Sequence, residues 1–570
     1  MRFLKSARDT LQSDVANVRG TRATAVRLAA ALASGVAMIF TFAPFGLWWL
    51  QPLLLAVLFV VWSGAAPRRA ALLGFVFGMG WFCAGVSWVY ISMHDVGGMP
   101  MAVAGLATLL FAIVLAAYTA LAGALVATLA TKPGAHGAVP PTPALAAITP
   151  FQPLLLLPAA FTLCEWLRGW VFTGFPWIAP GYAHTDGPLA GFASLVGVHG
   201  VTYLAVVAGA LVAWMVASVY AGLRAASASK LLVDADLRGI SPEAAPRASL
   251  GGILRPIAVP ASLLVALCIT GTALRGIEWT QASGKPLSVS LLQANIPQEL
   301  KFVEGRFEST VEVYERLATR NNATLIVLPE TALPRMLHAI PPAVLQRFDT
   351  LASQRGATLI TGVPRAESST RYFNSAISLG REAQQTYDKS HLVPFGEFIP
   401  FGFQWFVDLM RMPLGNFTSG GSAQTPMRVA DQHIAINICY EDLFGEEIIR
   451  QLPQATLLLN ISNVGWFGDS LAPHQHLQAS RMRALESGRV MLRATNTGAT
   501  AVIDAHGHVT HALPFFTEGA VSAMVQGRSG ATPYVVTGNA SVIMFCVLAL
   551  IWCGWRAHRA RQPHPIRAPA

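Results

Sequence analysis

The chain has 570 residues, of which 53% are hydrophobic and only 12% charged, with a mean hydropathy of +0.48. Soluble domains carry about 25% charged residues, so an ordinary watery surface along the whole chain is excluded, as are disorder, collagen and coiled coil. Residues 276–530 hold 20 Lys+Arg against 22 Asp+Glu and the remainder 20 against 8, a split that argues for membrane orientation and against a nucleic-acid partner.

Apolar stretches long enough to cross about 30 Å of hydrocarbon as helices lie near 26–44, 46–63, 71–91, 102–130, 151–172, 194–221, 254–274 and 533–555. A tight turn at Ala43-Pro44-Phe45-Gly46 is expected between the first two. The first stretch exceeds the roughly 7–15 apolar residues of a cleaved signal peptide. Eight crossings put both termini on one side. Arg2, Lys5, Arg8, Arg19 and Arg22 precede the first span, Arg68 and Arg69 follow the second, and Lys132 follows the fourth. Arg224, Lys230, Arg238, Arg247 and Arg255 follow the sixth, and Arg556, Arg559, Arg561 and Arg567 the eighth. The alternate loops carry almost no Lys or Arg. Excess positive charge marks the cytoplasmic face, so both termini are expected there, with 276–530 projecting from the opposite face.

The expected division is a tail over 1–25, seven spans over 26–275, a folded domain over 276–530, an eighth span over 531–556 and a tail over 557–570. Lys132–Pro150 and Ala225–Gly252 read as low-complexity cytoplasmic loops. Glu165 and Arg168, at i, i+3 spacing in the fifth span, read as a structural ion pair near the outer interface.

Within 276–530, strands are expected at Leu287–Ala294, Ala323–Leu328, Ala357–Gly362, Phe373–Leu379, Ile434–Cys439, Ala455–Ile461, Val490–Thr495 and Ala499–Asp504. Helices are expected at Glu304–Thr319, Ala343–Gln354 and His474–Gly488, and Asp442, Glu446 and Glu447 suit the first turn of a further one. Leu, Ile and Val strands interleaved with helices predict an α/β sandwich with covered sheets. An α/β barrel and a doubly wound sheet fit the same pattern.

Several of these strands end abruptly in polar residues, at Leu328-Pro329-Glu330, Ile438-Cys439-Tyr440-Glu441-Asp442 and Asn460-Ile461-Ser462-Asn463. Strand ends in α/β folds are where side chains leave the core and meet ligands. Of the six cysteines, Cys83, Cys164, Cys268, Cys546 and Cys553 lie in expected spans, and Cys439 alone lies in the projecting domain. That domain therefore forms no internal disulfide, and Cys439 is either an inert buried thiol or a used one. A nucleophilic thiol needs a base and donors for the oxyanion. His391, His433, His474 and His476 are available, but none sits at a clear strand end. A Glu in a dry site can serve as base, and a Lys ammonium can face the oxyanion.

Leu328-Pro329-Glu330, then Tyr387-Asp388-Lys389-Ser390-His391-Leu392-Val393-Pro394-Phe395-Gly396-Glu397, then Asn437-Ile438-Cys439-Tyr440-Glu441 resemble the ordered Glu–Lys–Cys triad of the nitrilase superfamily. With eight spans attached, the whole chain resembles the apolipoprotein N-acyltransferases. Cys164-Glu165-Trp166-Leu167-Arg168-Gly169 and Leu300-Lys301-Phe302 fit as well, Trp often standing in that family where Phe302 stands here.

The resemblance implies an αββα sandwich on an eight-helix membrane bundle, in a bacterial inner membrane with the catalytic domain periplasmic. It implies Cys439 as nucleophile, Glu330 as general base and acid, and Lys389 as stabiliser of the tetrahedral intermediate. Glu397 and Glu441 match further functional positions, Tyr440 follows the nucleophile and offers its backbone N–H to the oxyanion, and Phe302 touches substrate. The implied donor is a membrane phospholipid, the acceptor a diacylglyceryl-apolipoprotein, and no metal or other cofactor is required. Asn374 is expected to orient the site, and Trp466 and Phe467 either line it or pack in the core.

Phe395 to Phe417 is crowded with Phe, Trp and Met between glycines. It suits a core segment or a lid at the lipid interface, and is read as the lid. Two rival functions share parts of this pattern. One is a membrane-tethered amidase releasing its acyl group to water; the other is a transporter or receptor, against which stands the lack of a polar relay in the spans.

Overall fold

The computed structural model describes residues 22–130, 152–236, 250–303, 305–399, 402 and 416–560. The 132–150 loop, residues 237–249 of the second loop, and residues 400, 401 and 403–415 of the expected lid lie outside the described residues.

Each of the eight apolar stretches is helical, but they differ in length. α1 (Arg22–Thr41), α5 (Met101–Leu129), α7 (Pro188–Leu223), α8 (Pro256–Leu274) and α12 (Ala540–Arg559) are each long and apolar enough to cross a membrane. α3 (Pro67–Gly85) and α4 (Trp88–Val96) form a pair bent by 50° that qualifies only jointly. α2 (Leu50–Trp62) has 13 residues and α6 (Leu157–Arg168) has 12, so neither reaches spanning length by itself. By length and composition the described residues hold five candidate spans, or six with the bent pair, so the expected eight are matched only in part. Gly46 at φ +66 closes the expected turn before α2, its N–H reaching the Phe42 carbonyl at 2.9 Å.

Between α8 and α12 the chain folds into two six-stranded sheets. The first has the order β12-β1-β2-β3-β4-β5, for β1 (Leu287–Gln293), β2 (Leu325–Val327), β3 (Thr358–Ala366), β4 (Tyr372–Gly380), β5 (Thr386–Asp388) and β12 (Gly519–Val525). The second has the order β11-β10-β9-β8-β7-β6, for β6 (Met427–Val429), β7 (Gln432–Ile438), β8 (Leu457–Ser462), β9 (Met491–Thr495), β10 (Ala501–Ile503) and β11 (Val509–Ala512). In each sheet three neighbouring strands run parallel, β1-β2-β3 and β7-β8-β9, with antiparallel strands outside them.

Alternation along the strands explains the layering. Leu287, Val289, Leu291, Leu325 and Val327 meet Ile434, Ile436, Ile438, Leu457, Leu459 and Ile461 in the core between the sheets. Ile326, Leu328 and Leu359 point the other way and pack under α9 (Phe307–Arg320) and α10 (Pro342–Gln354). Ala435, Leu458 and Met491 face α11 (Leu471–Ser487) through Ala484. The result is the αββα sandwich, with the barrel and doubly wound alternatives removed. All eight expected strands and three expected helices form.

α11 has a second neighbour. Ala472, Ala479, Met482 and Leu485 share one apolar cluster with Trp81, Phe161, Tyr182 and Val201 of the membrane region. Buried between the sandwich and the membrane helices, α11 is the keel on which the two parts join.

Candidate active site

Glu330 follows β2, Lys389 follows β5, and Cys439 follows β7. Their polar side chains gather where the two sheets open, on the edge at which the parallel strands end. The turn that carries Glu330 is tight. Thr331 sits at φ +50, and Gly362 passes so close that an added Cβ would lie 2.6 Å from the Glu330 Cα. Cys439 itself has φ +55, a left-handed conformation uncommon outside glycine. It turns the chain from strand into a short 3₁₀ segment, Cys439–Leu443.

Lys389 is 1% exposed and is the hub of the cluster. Its Nζ lies 2.9 Å from Glu397 Oε1 and 3.5 Å from Glu330 Oε1. Asn374, at the start of β4, donates from Nδ2 to both carboxylates, at 2.7 Å to Glu330 and 2.8 Å to Glu397. The Asn463 backbone N–H donates to the other Glu330 oxygen at 2.8 Å. Glu397 Oε2 accepts from the Val393 N–H at 2.9 Å. Both carboxylates are thus held by donors on more than one side.

The electrostatics follow from this packing. Burial first pushes the Cys439 thiol up to about 12, and the nearby Glu330 charge adds to it against the pull of Lys389. Burial also opposes ionisation of Glu330, but Lys389, Asn374, Lys301 and the Asn463 N–H outweigh it and hold the carboxyl below its usual range. Lys389 is opposed by burial and held above its usual range by Glu397 and then Glu330. At neutral pH the proton rests on sulfur and Glu330 is a carboxylate. That state suits a base that takes the proton as the sulfur attacks.

Tyr440 and Glu441 point elsewhere. The Tyr440 hydroxyl donates to the Gly174 carbonyl of the membrane region at 2.9 Å. Glu441 accepts from the backbone N–H groups of Ser390 at 2.6 Å, His391 at 3.0 Å and Ile438 at 2.5 Å, and from the Tyr387 hydroxyl. One buried side chain therefore ties the strand that ends at Cys439 to the loop bearing Lys389. Burial raises its carboxyl to about 7, against those hydrogen bonds. Phe302 and Trp466 stay at the rim, 59% and 40% exposed. Glu446 and Glu447 open a short helix, Gly445–Ile448, as expected, while Asp442 lies in the preceding 3₁₀ segment. Asp442 is buried against His476 and Arg493, and Glu447 faces His391 at 3.1 Å.

The strand end marks Asn463 in the sequence, whereas nothing in the sequence assigns a role to Lys301 or His476. Lys301 is 2% exposed, donates from Nζ to the Glu330 carbonyl at 3.2 Å, and is lowered to about 8 chiefly by burial. Asn463 closes the Glu330 cage and binds Gln298 through its side chain at 2.7 Å. Among the described residues no cluster of three or more His, Cys, Asp and Glu side chains is arranged to hold a metal ion.

The membrane region supports this edge directly. Indole N–H groups of Trp88 and Trp177 donate to Gln475 Oε1 at 3.2 and 2.7 Å, and Gln475 Nε2 donates to the Gly85 carbonyl at 3.2 Å. Trp88 packs on Phe467 with ring centroids 4.7 Å apart. Gly197, at φ +63, breaks the helical path of α7, and the Val198 N–H beyond it donates to Glu486 of α11 at 2.6 Å. The Glu165–Arg168 pair forms as expected at 2.6 Å, and Arg168 also donates to the Trp177 carbonyl at 3.1 Å. It braces the loop that carries Trp177.

Comparison with known proteins agrees with both parts of the chain. Residues 34–211 match the family described as apolipoprotein N-acyltransferase N-terminal domain, and residues 284–534 the family described as carbon-nitrogen hydrolase. An apolipoprotein N-acyltransferase of Ralstonia nicotianae is 45% identical, covering 94% of this chain and 95% of its own. One of Nitrosomonas europaea is 41% identical, covering 92% and 96%. Among solved structures, an amidase of Nesterenkonia AN1 from the nitrilase superfamily aligns with 46% of this chain and 97% of its own, at 16% identity and a TM-score of 0.31.

Proposed function

The chain belongs to the apolipoprotein N-acyltransferase family, and from that premise we propose that it moves an acyl chain from a membrane phospholipid to the N-terminal α-amine of a diacylglyceryl-cysteine on an apolipoprotein, through a thioester on Cys439. Glu330 takes the thiol proton as Sγ attacks the ester carbonyl. The oxyanion faces the Lys389 ammonium and the Tyr440 N–H. Collapse breaks the ester C–O bond, Glu330 returns the proton to the leaving alkoxide, and a lysophospholipid departs. In the second half the α-amine attacks the thioester carbonyl, Glu330 accepts the amine proton, and the C–S bond breaks to restore the thiol. Glu397 and Asn374 hold Lys389 and Glu330 in register. Phe302 and Trp466 offer apolar surface to the incoming chains.

The observation that carries this reading is the buried group of Cys439, Glu330 and Lys389, with the Lys389 ammonium pinned by two carboxylates at 2.9 and 3.5 Å, the thiol shifted up and the Glu330 carboxyl held low. The membrane setting supports it energetically. Each buried CH₂ is worth about 0.8 kcal/mol, so lifting a long acyl chain into water costs on the order of 10 kcal/mol. A site fixed at the membrane surface receives both lipids with their tails still in hydrocarbon.

The same reading assigns eight crossings, α2 and α6 completing the set with their flanking turns. Both termini are then cytoplasmic, and residues 276–530 form the catalytic domain on the periplasmic face of a bacterial inner membrane. The test is incubation of purified protein with phospholipid and a diacylated lipopeptide, followed by mass spectrometry of the peptide. One added acyl chain on the peptide amine is expected. Free fatty acid with an unmodified peptide would select the hydrolytic alternative.

A further inference from the structure

Behind Cys439 lies a group of polar side chains that the acyl-transfer scheme leaves unused. Asp442, Asn460, His476, Ser480 and Arg493 are each fully buried. Arg493 donates from Nη2 to His476 Nδ1 at 2.7 Å, and from Nη1 to Asp442 Oδ2 at 3.0 Å, Asn460 Oδ1 at 3.2 Å and Ser480 Oγ at 2.7 Å.

A guanidinium only donates, so His476 Nδ1 is an acceptor and its ring proton sits on Nε2. That Nε2–H faces Asp442 Oδ1 at 2.7 Å and the Cys439 carbonyl at 3.1 Å. Burial first, and then Arg493, lower the His476 pKa, which keeps the ring neutral and the tautomer fixed. Arg493 settles the orientation of Asn460 in the same way. With its oxygen taken, Asn460 Nδ2 donates to the Cys439 carbonyl at 3.0 Å and to Asn437 Oδ1 at 2.7 Å.

The nucleophile's carbonyl thus receives two N–H donors. In a planar trans peptide the next N–H points away from that carbonyl. Fixing the Cys439 carbonyl fixes the direction of the Tyr440 amide. We propose that Asp442, Asn460, His476 and Arg493 are positioning residues that clamp the Cys439 carbonyl and so aim the Tyr440 N–H at the oxyanion of acyl transfer, an inference that rests on the thioester reading above. The clamp is tied to the membrane region, because His476 neighbours Gln475 on α11, whose side chain binds Trp88, Trp177 and Gly85.

A clamp and a merely structural cluster differ in what they do to two reactions of one thiol. Alkylation of Cys439 by iodoacetamide forms no oxyanion, whereas acylation by phospholipid does. His476→Asn keeps an acceptor for Arg493 but falls short of the Cys439 carbonyl, while His476→Gln places a donor near the former Nε2. The full-length protein in detergent is assayed by intact mass for both adducts. His476→Asn is expected to alkylate within about 3-fold of wild type but to acylate roughly 10²-fold more slowly, the usual effect of losing an oxyanion donor. His476→Gln is expected to recover at least about tenfold of that loss.

Asn460→Ser removes the other donor while sparing the Arg493–Asp442–His476 contacts, and serves if the histidine variants do not fold. It is expected to acylate about tenfold more slowly with unchanged alkylation. Equal loss of both rates, or loss of neither, would overturn the clamp while leaving the thioester reading intact. A wild-type protein that alkylates but never acylates would overturn both.

Discussion

The proton on Cys439 and the charge on Glu330 belong together. A thiol held near 12 beside a carboxylate held low is the resting state of a general-base mechanism, not of a preformed thiolate pair. Lys301 adds a titratable element to that site. Its pKa of about 8 means that raising pH through that value removes a positive charge near Glu330 and Cys439. Less positive charge disfavours the oxyanion and thiolate, so the acyl-transfer rate is expected to fall as pH rises through about 8. In Lys301→Met that fall should vanish from the pH–rate profile, with a lower rate at pH 7. A profile identical to wild type would exclude Lys301 from the site's electrostatics.

At this scale the sequence is legible where strands end. Glu330, Cys439 and Asn463 stand out because apolar runs stop abruptly there. Lys301 does not, since nothing in Leu300-Lys301-Phe302 announces that the lysine is buried and the phenylalanine exposed. His476 was set aside for want of a strand end. It sits on a helix and acts on the backbone of Cys439, a contact that no local pattern encodes. Its spacing from Ser480 and Arg483 (i, i+4 and i+7) places three polar residues on one stripe of a buried helix, the one available hint.

Among the elements, the central strands were readable because both of their faces are covered and they are therefore rich in Leu, Ile and Val. The outer strands were not. β11 (Val509–Ala512) is exposed along its length, and β5 and β6 have three residues each, too few to show a period. α2 and α6 are shorter as helices than their apolar stretches suggest. Hydropathy counts apolar letters, but Gly46 holds a turn at φ +66 before α2, and α6 ends at Arg168-Gly169.

α3 and α5 are joined by small residues, the packing expected where lipid gives helices no hydrophobic drive to associate. A Cβ on Gly78 would lie 2.8 Å from the Ala116 Cα, and one on Gly74 2.5 Å from the Thr119 carbonyl. Gly105, also on α5, has nothing within 4 Å. Gly78→Leu is therefore expected to destabilise by at least the roughly 1–3 kcal/mol of overpacking, lowering Tm by several degrees in a detergent melt. Gly105→Leu should leave Tm within about a degree. Equal behaviour of the two would contradict this seam.

For the whole molecule, the sandwich's seat on the membrane helices matters most. Gln475 holds two indole N–H groups and a backbone carbonyl at once. Gln475→Ala leaves all three unpaired, at about 1–3 kcal/mol for each buried group. Tm is expected to fall by roughly 5 °C or more, taking about 2 °C per kcal/mol, and acyl transfer should fall with it. An unchanged Tm would mean that the two parts do not depend on this joint. None of this seat was visible beforehand, because residues from opposite ends of the chain meet there without a shared period. Charge asymmetry did separate the neutral segment 276–530 from its basic flanks, since that balance is a property of composition alone.

Cys439 as a transient acyl carrier is tested most directly by the intact mass of the purified protein after exposure to phospholipid without acceptor. One acyl chain, released by hydroxylamine and absent in Cys439→Ala, is the result expected. Wild-type protein that converts the lipopeptide while never carrying that mass, or Cys439→Ala that carries it equally, would contradict the account.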